Sequence, residues 1–307
     1  MKAATIQNYG DAIEITDFAK PNLQDDSVLI EVHAASLNPI DNILRMGYLK
    51  EILPISFPHV MGYDVSGVVV EVGAQVKKVK AGDAVYARPN QEDAGSMAEF
   101  ARLKESELAI VQGNLSHAHA ASVPLAGLTA WQALITHGQL KKGDKVLIHA
   151  GSGGVGTYAI QIAKHLGAFV ATTTSLKNTE LVKTLGADIV IDYKTQNFQD
   201  ELSDYDLVFD MLGGETMTES FKVLKRGGTM ISIKGQDTDN LAAKYGVSFE
   251  FVMMSPDGTM LAELGDLIAS GSVKPIIDSE FPFTEITAAY DKLDTGRAVG
   301  KIVVIVK

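Results

Sequence analysis

The chain has 307 residues, of which 46% are hydrophobic and 21% charged, an ordinary globular composition with enough length for about two domains. Acidic side chains outnumber basic ones by 38 to 27, and the formal net charge of -11 disfavours nucleic acid and anionic membrane surfaces as partners. The chain has no cysteine, which excludes disulfides, a thiol nucleophile and thiolate metal ligands. Residues 1–7 lack the apolar core of a signal peptide, and no run approaches the roughly 20 apolar residues of a membrane span, so we expect a cytoplasmic protein.

The first third of the chain has the pattern of a β-rich domain, in which short apolar segments are separated by glycine turns. The segments that predict strands are residues 28–34, 65–72 and 84–86. Strand-like segments near the end of the chain could return to the same domain. These are residues 275–278, 281–283 and 300–306.

From Ala121 onward, strand patterns alternate with helix patterns. Such alternation implies a parallel, doubly wound sheet. We therefore predict an α/β fold in two domains. A dinucleotide-binding domain of residues 121–274 is inserted into a discontinuous β-rich domain of residues 1–120 and 275–307.

The most informative motif is a glycine-rich turn between an apolar strand and an amphipathic helix. Gly151, Gly153 and Gly156 have the G-x-G-x-x-G spacing of a turn that binds a dinucleotide pyrophosphate. Unpaired amides and the dipole at the start of the helix favour an anion by roughly 0.3 to 2 kcal/mol. We predict that the pyrophosphate is bound by Ser152, Gly153, Gly154, Val155 and Gly156.

The end of the next strand indicates which dinucleotide is bound. An acidic residue about 20 positions beyond the last glycine would bind a free adenosine ribose, but residues 174–178 contain no acid. Thr174, Ser175 and Lys177 suit the 2′-phosphate of NADPH instead, and Tyr193 could close the same pocket. A hydrogen bond to a charged group contributes about 1.5 to 3 kcal/mol, enough for a tenfold to hundredfold preference. The alternative is that Lys177 is only a solvated loop lysine.

Short motifs are spread over nearly the whole chain, at residues 36–41, 45–47, 61–67, 128–131, 151–156, 186–193, 209–213 and 300–304. In this order and spacing they resemble the medium-chain dehydrogenase/reductase superfamily, in its zinc-independent quinone oxidoreductase branch. The resemblance implies a GroES-like catalytic domain plus a Rossmann domain. It also implies a homodimer, joined edge to edge through the nucleotide-domain sheet near residues 249–254.

The zinc ligands of the superfamily's alcohol dehydrogenases are missing from this chain. Asn38 stands where the first cysteine would be, Tyr63 replaces the histidine, and Leu125 fills the third place. An amide, a phenol and an aliphatic group cannot supply a tetrahedral zinc set, so we expect no metal. The structural-zinc lobe is missing too, because residues 87–95 are short and free of thiols. His117 and His119 are two positions apart, and residues so spaced do not share a helix face.

Losing zinc restricts the chemistry, because neutral hydrogen-bond donors polarise a carbonyl only weakly. The substrate must therefore accept hydride easily, as quinones and α,β-unsaturated carbonyl compounds do. We expect an NADPH-dependent reductase of such substrates, in which Asn38 and Tyr63 line the pocket near the reacting carbon. The competing hypotheses are an enoyl-thioester reductase and a non-enzymatic NADPH-binding sensor.

The candidate substrate residues have plain structural alternatives. Asn38 could cap a helix that starts at Pro39, and the two roles can coexist. Tyr63 could be a packed core tyrosine, and Tyr48 is either a mobile lid residue or a surface aromatic. Asp41 and Arg45 lie four positions apart, which favours a local ion pair.

Three further cofactor contacts come only from the resemblance. Thr129 resembles the family's threonine beside the nicotinamide ring, although it could instead bond to its own helical turn. Leu212 lies in the motif of residues 209–213 and is placed beside the cofactor. Lys301 resembles the family's late lysine near the cofactor, although it could be a strand-edge charge that discourages aggregation.

Overall fold

The computed structural model describes residues 1–90 and 95–307. It forms two compact units. The first unit comprises Met1–Leu128, Ser255–Ser270 and Pro275–Lys307, and the second comprises Thr129–Met254 and Gly271–Lys274. Of the thiol-free segment at residues 87–95, residues 91–94 lie outside the described residues.

The strands follow in chain order: β1 (Lys2–Ile6), β2 (Glu14–Asp17), β3 (Ser27–Leu37), β4 (His59–Val60), β5 (Asp64–Val72), β6 (Ala84–Ala87), β7 (Phe100–Lys104), β8 (Leu108–Ile110), β9 (Lys145–Ile148), β10 (Phe169–Thr174), β11 (Ile189–Asp192), β12 (Tyr205–Asp210), β13 (Leu224–Ser232), β14 (Ser248–Phe251), β15 (Ile277–Pro282) and β16 (Lys301–Ile305).

The helices are α1 (Pro39–Arg45), α2 (His117–Ala121), α3 (Pro124–Trp131), α4 (Gly154–His165), α5 (Thr179–Thr184), α6 (Phe198–Glu201), α7 (Gly214–Ser220), α8 (Leu241–Tyr245), α9 (Gly258–Ala269) and α10 (Ile286–Asp294). A π-helical segment, Gln132–His137, follows α3, and the residues Leu176–Asn178 form a 3-10 turn after β10.

The main sheet of the first unit has the strand order β15-β16-β3-β5-β6-β8, and β7 also pairs with β3. The chain's last strand, β16, therefore lies between β15 and β3. The two predicted segments at residues 275–278 and 281–283 are joined in the single strand β15. A smaller sheet has the order β2-β1-β4.

The long strand β3 contributes side chains to two apolar clusters. Its side chains alternate between faces, so Val28, Ile30 and Val32 enter one cluster of buried residues. The pairing of β3 with β5 shifts register between Val32 and Ala34, and beyond this point Ala35 and Leu37 enter the other cluster. One strand thus contributes to both clusters.

The sheet of the second unit is parallel, with the strand order β11-β10-β9-β12-β13-β14. Counted from β9, this is the doubly wound order 3-2-1-4-5-6 of a Rossmann fold. The order places the end of β9 at the point where the connections reverse direction, which is where such sheets bind ligands. The predicted α/β fold class, with a doubly wound parallel sheet, is confirmed.

Helix α9 groups with the first unit, whereas the predicted boundaries include it in residues 121–274. It packs against β8, and a Cβ atom added at Gly258 would lie 2.4 Å from the carbonyl oxygen of Leu108. The buried Tyr86 hydroxyl also donates to the carbonyl oxygen of Leu261, at 3.0 Å. These contacts tie the helix to the β-rich unit. Within residues 1–90 and 95–307, no helix combines the length and apolar character needed to cross a membrane.

We expect Tyr86→Phe to lower the free energy of unfolding by about 0.5 to 1.5 kcal/mol, because it removes a buried hydrogen bond without changing the ring. Tyr245→Phe is the matched control, since the half-buried Tyr245 hydroxyl makes no hydrogen bond with the described residues. Urea denaturation of both variants measures the difference. Equal stabilities would show that the Tyr86 bond to α9 contributes nothing.

Candidate cofactor and substrate sites

The glycine turn between β9 and α4 has the shape that its spacing predicts. A Cβ atom at Gly156 would lie 2.3 Å from the carbonyl oxygen of Ala150, and one at Gly151 would lie 2.0 Å from Thr172 Oγ1. Neither position has room for a side chain. The nearest atom to a Cβ at Gly153, the N-cap residue of α4, is 3.3 Å away. The first and last glycines thus let the turn pack closely, while the middle one leaves the start of the helix open to a phosphate.

A cluster of hydroxyl and amide groups lies beside this turn. Thr174 Oγ1 donates to Ser152 Oγ at 2.8 Å, and Asn178 Nδ2 donates to the same oxygen at 2.9 Å. A hydroxyl that accepts two hydrogen bonds keeps its own proton available for another acceptor. Asn178 was missed from the sequence, and its only signal was its place in the acid-free segment of residues 174–178.

The remaining predicted cofactor residues of the second unit lie near the carboxyl ends of its strands or on α3. Lys177 is exposed on the turn after β10 and makes no hydrogen bond or ion pair with the described residues. Tyr193 is 61% exposed, and its backbone N–H donates to Thr174 O at 3.2 Å. Leu212 is exposed just after β12, and Thr129 is buried on α3. The fold thus brings Ser152, Thr174, Lys177 and Tyr193 to one edge of the sheet.

In the first unit, Lys301 is buried at the start of β16 with only 3% of its side chain exposed. Its ammonium donates to Leu37 O at 2.8 Å, to Asp64 Oδ2 at 3.3 Å and to Asn38 Oδ1. An ammonium has three protons, so all of them are used inside this unit. Burial lowers the pKa of Lys301, while the charge of Asp64 opposes that change. The alternative of a strand-edge charge is wrong, because β16 lies inside the sheet.

Asp64 is the centre of this cluster, and sequence reasoning missed it. Its Oδ2 accepts from Ser36 Oγ at 3.1 Å and from Asn38 Nδ2 at 2.8 Å, besides Lys301. Its Oδ1 accepts from the backbone N–H of Leu125 at 2.7 Å. The available signal was an acid at the start of an apolar strand, where a buried carboxylate requires a partner.

Asn38 occupies the N-cap position of α1, with Pro39 as the first helical residue, as the alternative prediction stated. Its side chain is buried and bound to Asp64 and Lys301. Its backbone N–H donates to Asp41 Oδ2 at 2.6 Å. Asn38 therefore has a structural role in the first unit, whatever else it contacts.

Asp41 is completely buried on α1, and its second carboxylate oxygen, Oδ1, has no hydrogen-bond partner in the described part of the chain. Burial raises the pKa of Asp41 to about 7, against the effect of the Asn38 N–H. The predicted ion pair with Arg45 is wrong. Arg45 donates instead to Asn42 Oδ1 and to Asp11 O, each at 2.9 Å, because Asp41 faces the core.

Tyr63 and Tyr48 have opposite environments. Tyr63 is buried, and its hydroxyl has no hydrogen-bond partner among the described residues. The guanidinium of Arg88 lies over its ring, 5.1 Å from the centroid. Tyr48 is 75% exposed, in the turn after α1. The structure therefore permits the lid role proposed for Tyr48 as well as the surface role.

The two histidines considered as metal ligands bind separate hydroxyls. His117 Nδ1 lies 2.8 Å from Ser66 Oγ, and His119 Nδ1 lies 2.9 Å from Ser116 Oγ. Over residues 1–90 and 95–307, no three His, Asp or Glu side chains are grouped as a metal site would require.

Comparison with known proteins agrees with this architecture. A model of the alcohol dehydrogenase GroES-like domain matches residues 24–113, and a model of the zinc-binding dehydrogenase family matches residues 185–304. The chain is 41% identical to a 2-methylene-furan-3-one reductase from Solanum lycopersicum, over 99% of this chain and 79% of that protein. It is 39% identical to a chloroplastic NADPH-dependent alkenal/one oxidoreductase from Arabidopsis thaliana, with the same coverage.

Among solved structures, the chain is similar to the quinone oxidoreductase from Coxiella burnetii. The TM-score is 0.93 and the identity 34%, over 100% of this chain and 99% of that one. A Rossmann sheet with a glycine turn, carried in one chain with a GroES-like unit, defines a dinucleotide-dependent dehydrogenase or reductase. The chain belongs to the medium-chain dehydrogenase/reductase superfamily, in its quinone oxidoreductase branch.

We expect Lys301→Met to lower the free energy of unfolding by about 3 to 5 kcal/mol, because it leaves the buried charge of Asp64 without its cation. Lys20→Met is the control, since the exposed pair of Lys20 with Glu71 should contribute less than about 1 kcal/mol. Chemical denaturation measures both. A loss for Lys301→Met no larger than for the control would contradict the structural role of the buried pair.

We expect Asp41→Asn to stabilise the protein progressively as the pH rises from 5 to 8. The folded-state pKa of Asp41, about 7, is above the ordinary value of 3.8, so wild type loses stability as the pH rises from the unfolded to the folded pKa, where only the unfolded state is ionised, and the loss levels off above about 7. Asparagine can still accept from the Asn38 N–H but cannot ionise. The stability difference should change by about 2 to 3 kcal/mol over this range. Asp291→Asn, at an exposed position on α10, is the control, and parallel pH profiles for Asp41→Asn and wild type would refute the assignment.

Proposed function

We propose that this protein is an NADPH-dependent reductase that transfers hydride to quinones or α,β-unsaturated carbonyl compounds without a metal ion. The observation that carries the proposal is the cofactor edge of the second unit. There an open glycine turn lies beside Ser152, Thr174 and Asn178, and no acid stands where a free ribose would need one. The names of the plant relatives, an alkenal/one oxidoreductase and a furanone reductase, support the same reaction class.

The residues present fit NADPH. The open start of α4, from Gly153 to Gly156, would hold the pyrophosphate, and Ser152 has a hydroxyl proton to donate. Lys177 would pair with the 2′-phosphate, because no side chain among the described residues pairs with the Lys177 ammonium. Ser175 and Tyr193 would border the adenosine ribose. Thr129 and Leu212 are proposed contacts nearer the nicotinamide. When bound, NADPH supplies a hydride, which carries two electrons to the substrate.

The substrate class follows from the groups at the positions of the missing zinc ligands. Asn38 is committed to Asp64 and Lys301, Tyr63 is a buried phenol, and Leu125 contributes only its backbone N–H to Asp64. Such groups polarise a simple ketone weakly, so the acceptor must delocalise the charge that hydride transfer creates. Quinones and enones do so. Neither the enoyl-thioester reductase nor the sensor is favoured.

β14 is the edge strand of the second unit's sheet, and Met253, just after it, is an exposed apolar residue. An unpaired edge of this kind can add the same strand of a second copy, so we propose a homodimer joined there. The negative charge argues against nucleic acid as a partner, and we propose a cytoplasmic location.

The decisive assay follows the absorbance of NADPH and NADH with 9,10-phenanthrenequinone, 1,4-benzoquinone, a simple enone and a crotonyl thioester. We expect NADPH oxidation with the quinones and the enone, at a higher kcat/KM than with the thioester. Tight NADPH binding without turnover of any acceptor would refute the reductase and leave the sensor. Preference for the thioester would identify an enoyl-thioester reductase.

We expect Lys177→Ala to raise the KM for NADPH by roughly tenfold to hundredfold and to leave the KM for NADH nearly unchanged, because it removes a charge-assisted bond to the 2′-phosphate. Lys183→Ala, on the exposed face of α5, is the matched control. Initial rates with each coenzyme measure the effect. An equal change for both coenzymes would mean that Lys177 does not contact the phosphate.

A further inference from the structure

Arg88 follows β6 directly and is a half-buried cation without a carboxylate partner among the residues that the structure describes. One terminal nitrogen, Nη1, donates to the carbonyl oxygen of Pro89 at 2.8 Å. Its Nε is buried and has no hydrogen-bond partner, and within residues 1–90 and 95–307 its guanidinium forms no ion pair. Burial lowers the pKa of Arg88, which nevertheless stays charged because its ordinary value is so high. Such a group is unfavourable unless something neutralises it.

Three carboxylates act on Arg88 through their charge: Asp64 and Glu107 are already bound to other donors, whereas Asp41 accepts from the Asn38 N–H through Oδ2 and has an Oδ1 without a partner in the described part of the chain. Asp64 accepts from Lys301, Asn38, Ser36 and the Leu125 N–H. Glu107 accepts from the backbone N–H of Asn90 at 3.1 Å and from its side-chain amide at 2.8 Å. These charges favour the ionised form of Arg88 from a distance, but they leave its Nε–H unused.

The second unused donor beside Arg88 is the hydroxyl of Tyr63. The guanidinium lies 5.1 Å from the centroid of the Tyr63 ring, and the buried hydroxyl has no partner within the described ranges. A buried polar hydrogen without an acceptor is rare in native proteins and marks a place where an acceptor binds. Two such hydrogens on adjacent side chains, one of them on a cation, select an anionic oxygen.

We propose that Arg88, together with the Tyr63 hydroxyl, binds the substrate's carbonyl oxygen and stabilises the negative charge that hydride transfer creates on it. The proposal rests on the reductase function above. Addition of hydride to the conjugate carbon of an enone forms one C–H bond and breaks the C=C π bond. The electron pair moves to the carbonyl oxygen and gives an enolate, which then takes one proton from solvent at the α carbon. Arg88 is thereby a catalytic residue that stabilises the delocalised charge of the enolate by a charge-assisted hydrogen bond.

The test compares Arg88→Ala, Arg88→Lys and the control Arg297→Ala, which removes the same charge from an exposed position in the same unit. With an enone and saturating NADPH, we expect Arg88→Ala to lower kcat by roughly 100-fold and to leave the NADPH dissociation constant within about twofold. Millimolar guanidinium chloride should raise kcat of Arg88→Ala by roughly tenfold or more. It should not raise kcat of wild type or Arg297→Ala.

Arg88→Lys tests the same role of the guanidinium if the alanine variant fails to fold. A lysine in this partly buried position can lose its proton, whereas arginine cannot, so kcat of Arg88→Lys should fall at alkaline pH where wild type stays constant. A folded Arg88→Ala with kcat within about threefold of wild type, or a loss that guanidinium leaves unchanged, overturns the proposal. Wild type without activity toward any quinone or enone would instead refute the reductase function itself.

Discussion

The buried ion pair between Lys301 and Asp64 is the interaction on which the first unit depends. The two residues are 237 positions apart, and their pairing joins the last strand, β16, to the start of β5. Asn38 bridges both charges and at the same time begins α1, so the position of that helix follows from the pair. Because a buried charge requires its partner, the C-terminal strand must return before the N-terminal domain is complete.

The Lys301–Asp64 pair also determines which nearby side chains still have unused hydrogen-bond donors. It uses every proton of Lys301, the oxygen of the Asn38 amide and one N–H of that amide. Arg88 and Tyr63 keep hydrogens that nothing in the described residues accepts. In the second unit, Ser152 and Lys177 are similarly available. Polar hydrogens without an acceptor among residues 1–90 and 95–307 thus occur in both units.

Local patterns in the sequence predicted the fold and the cofactor turn well, because both depend on residues that are close along the chain. The G-x-G-x-x-G spacing identified the turn, and the alternation of strands and helices predicted the parallel sheet. The partners of buried polar groups could not be predicted in this way. Asp64, Arg88 and Asn178 acquire their contacts from residues that only the tertiary fold brings near, and nothing close to Lys301 in the sequence indicated its pairing with Asp64.

Hydride transfer from NADPH without a metal ion is tested most directly by metal analysis combined with kinetics. The purified protein would be analysed for transition metals and assayed with an enone before and after treatment with a strong chelator. The account predicts far less than one metal ion per chain and an unchanged kcat after chelation. One tightly bound metal ion per chain, with turnover lost on chelation and recovered when the metal is returned, would contradict it.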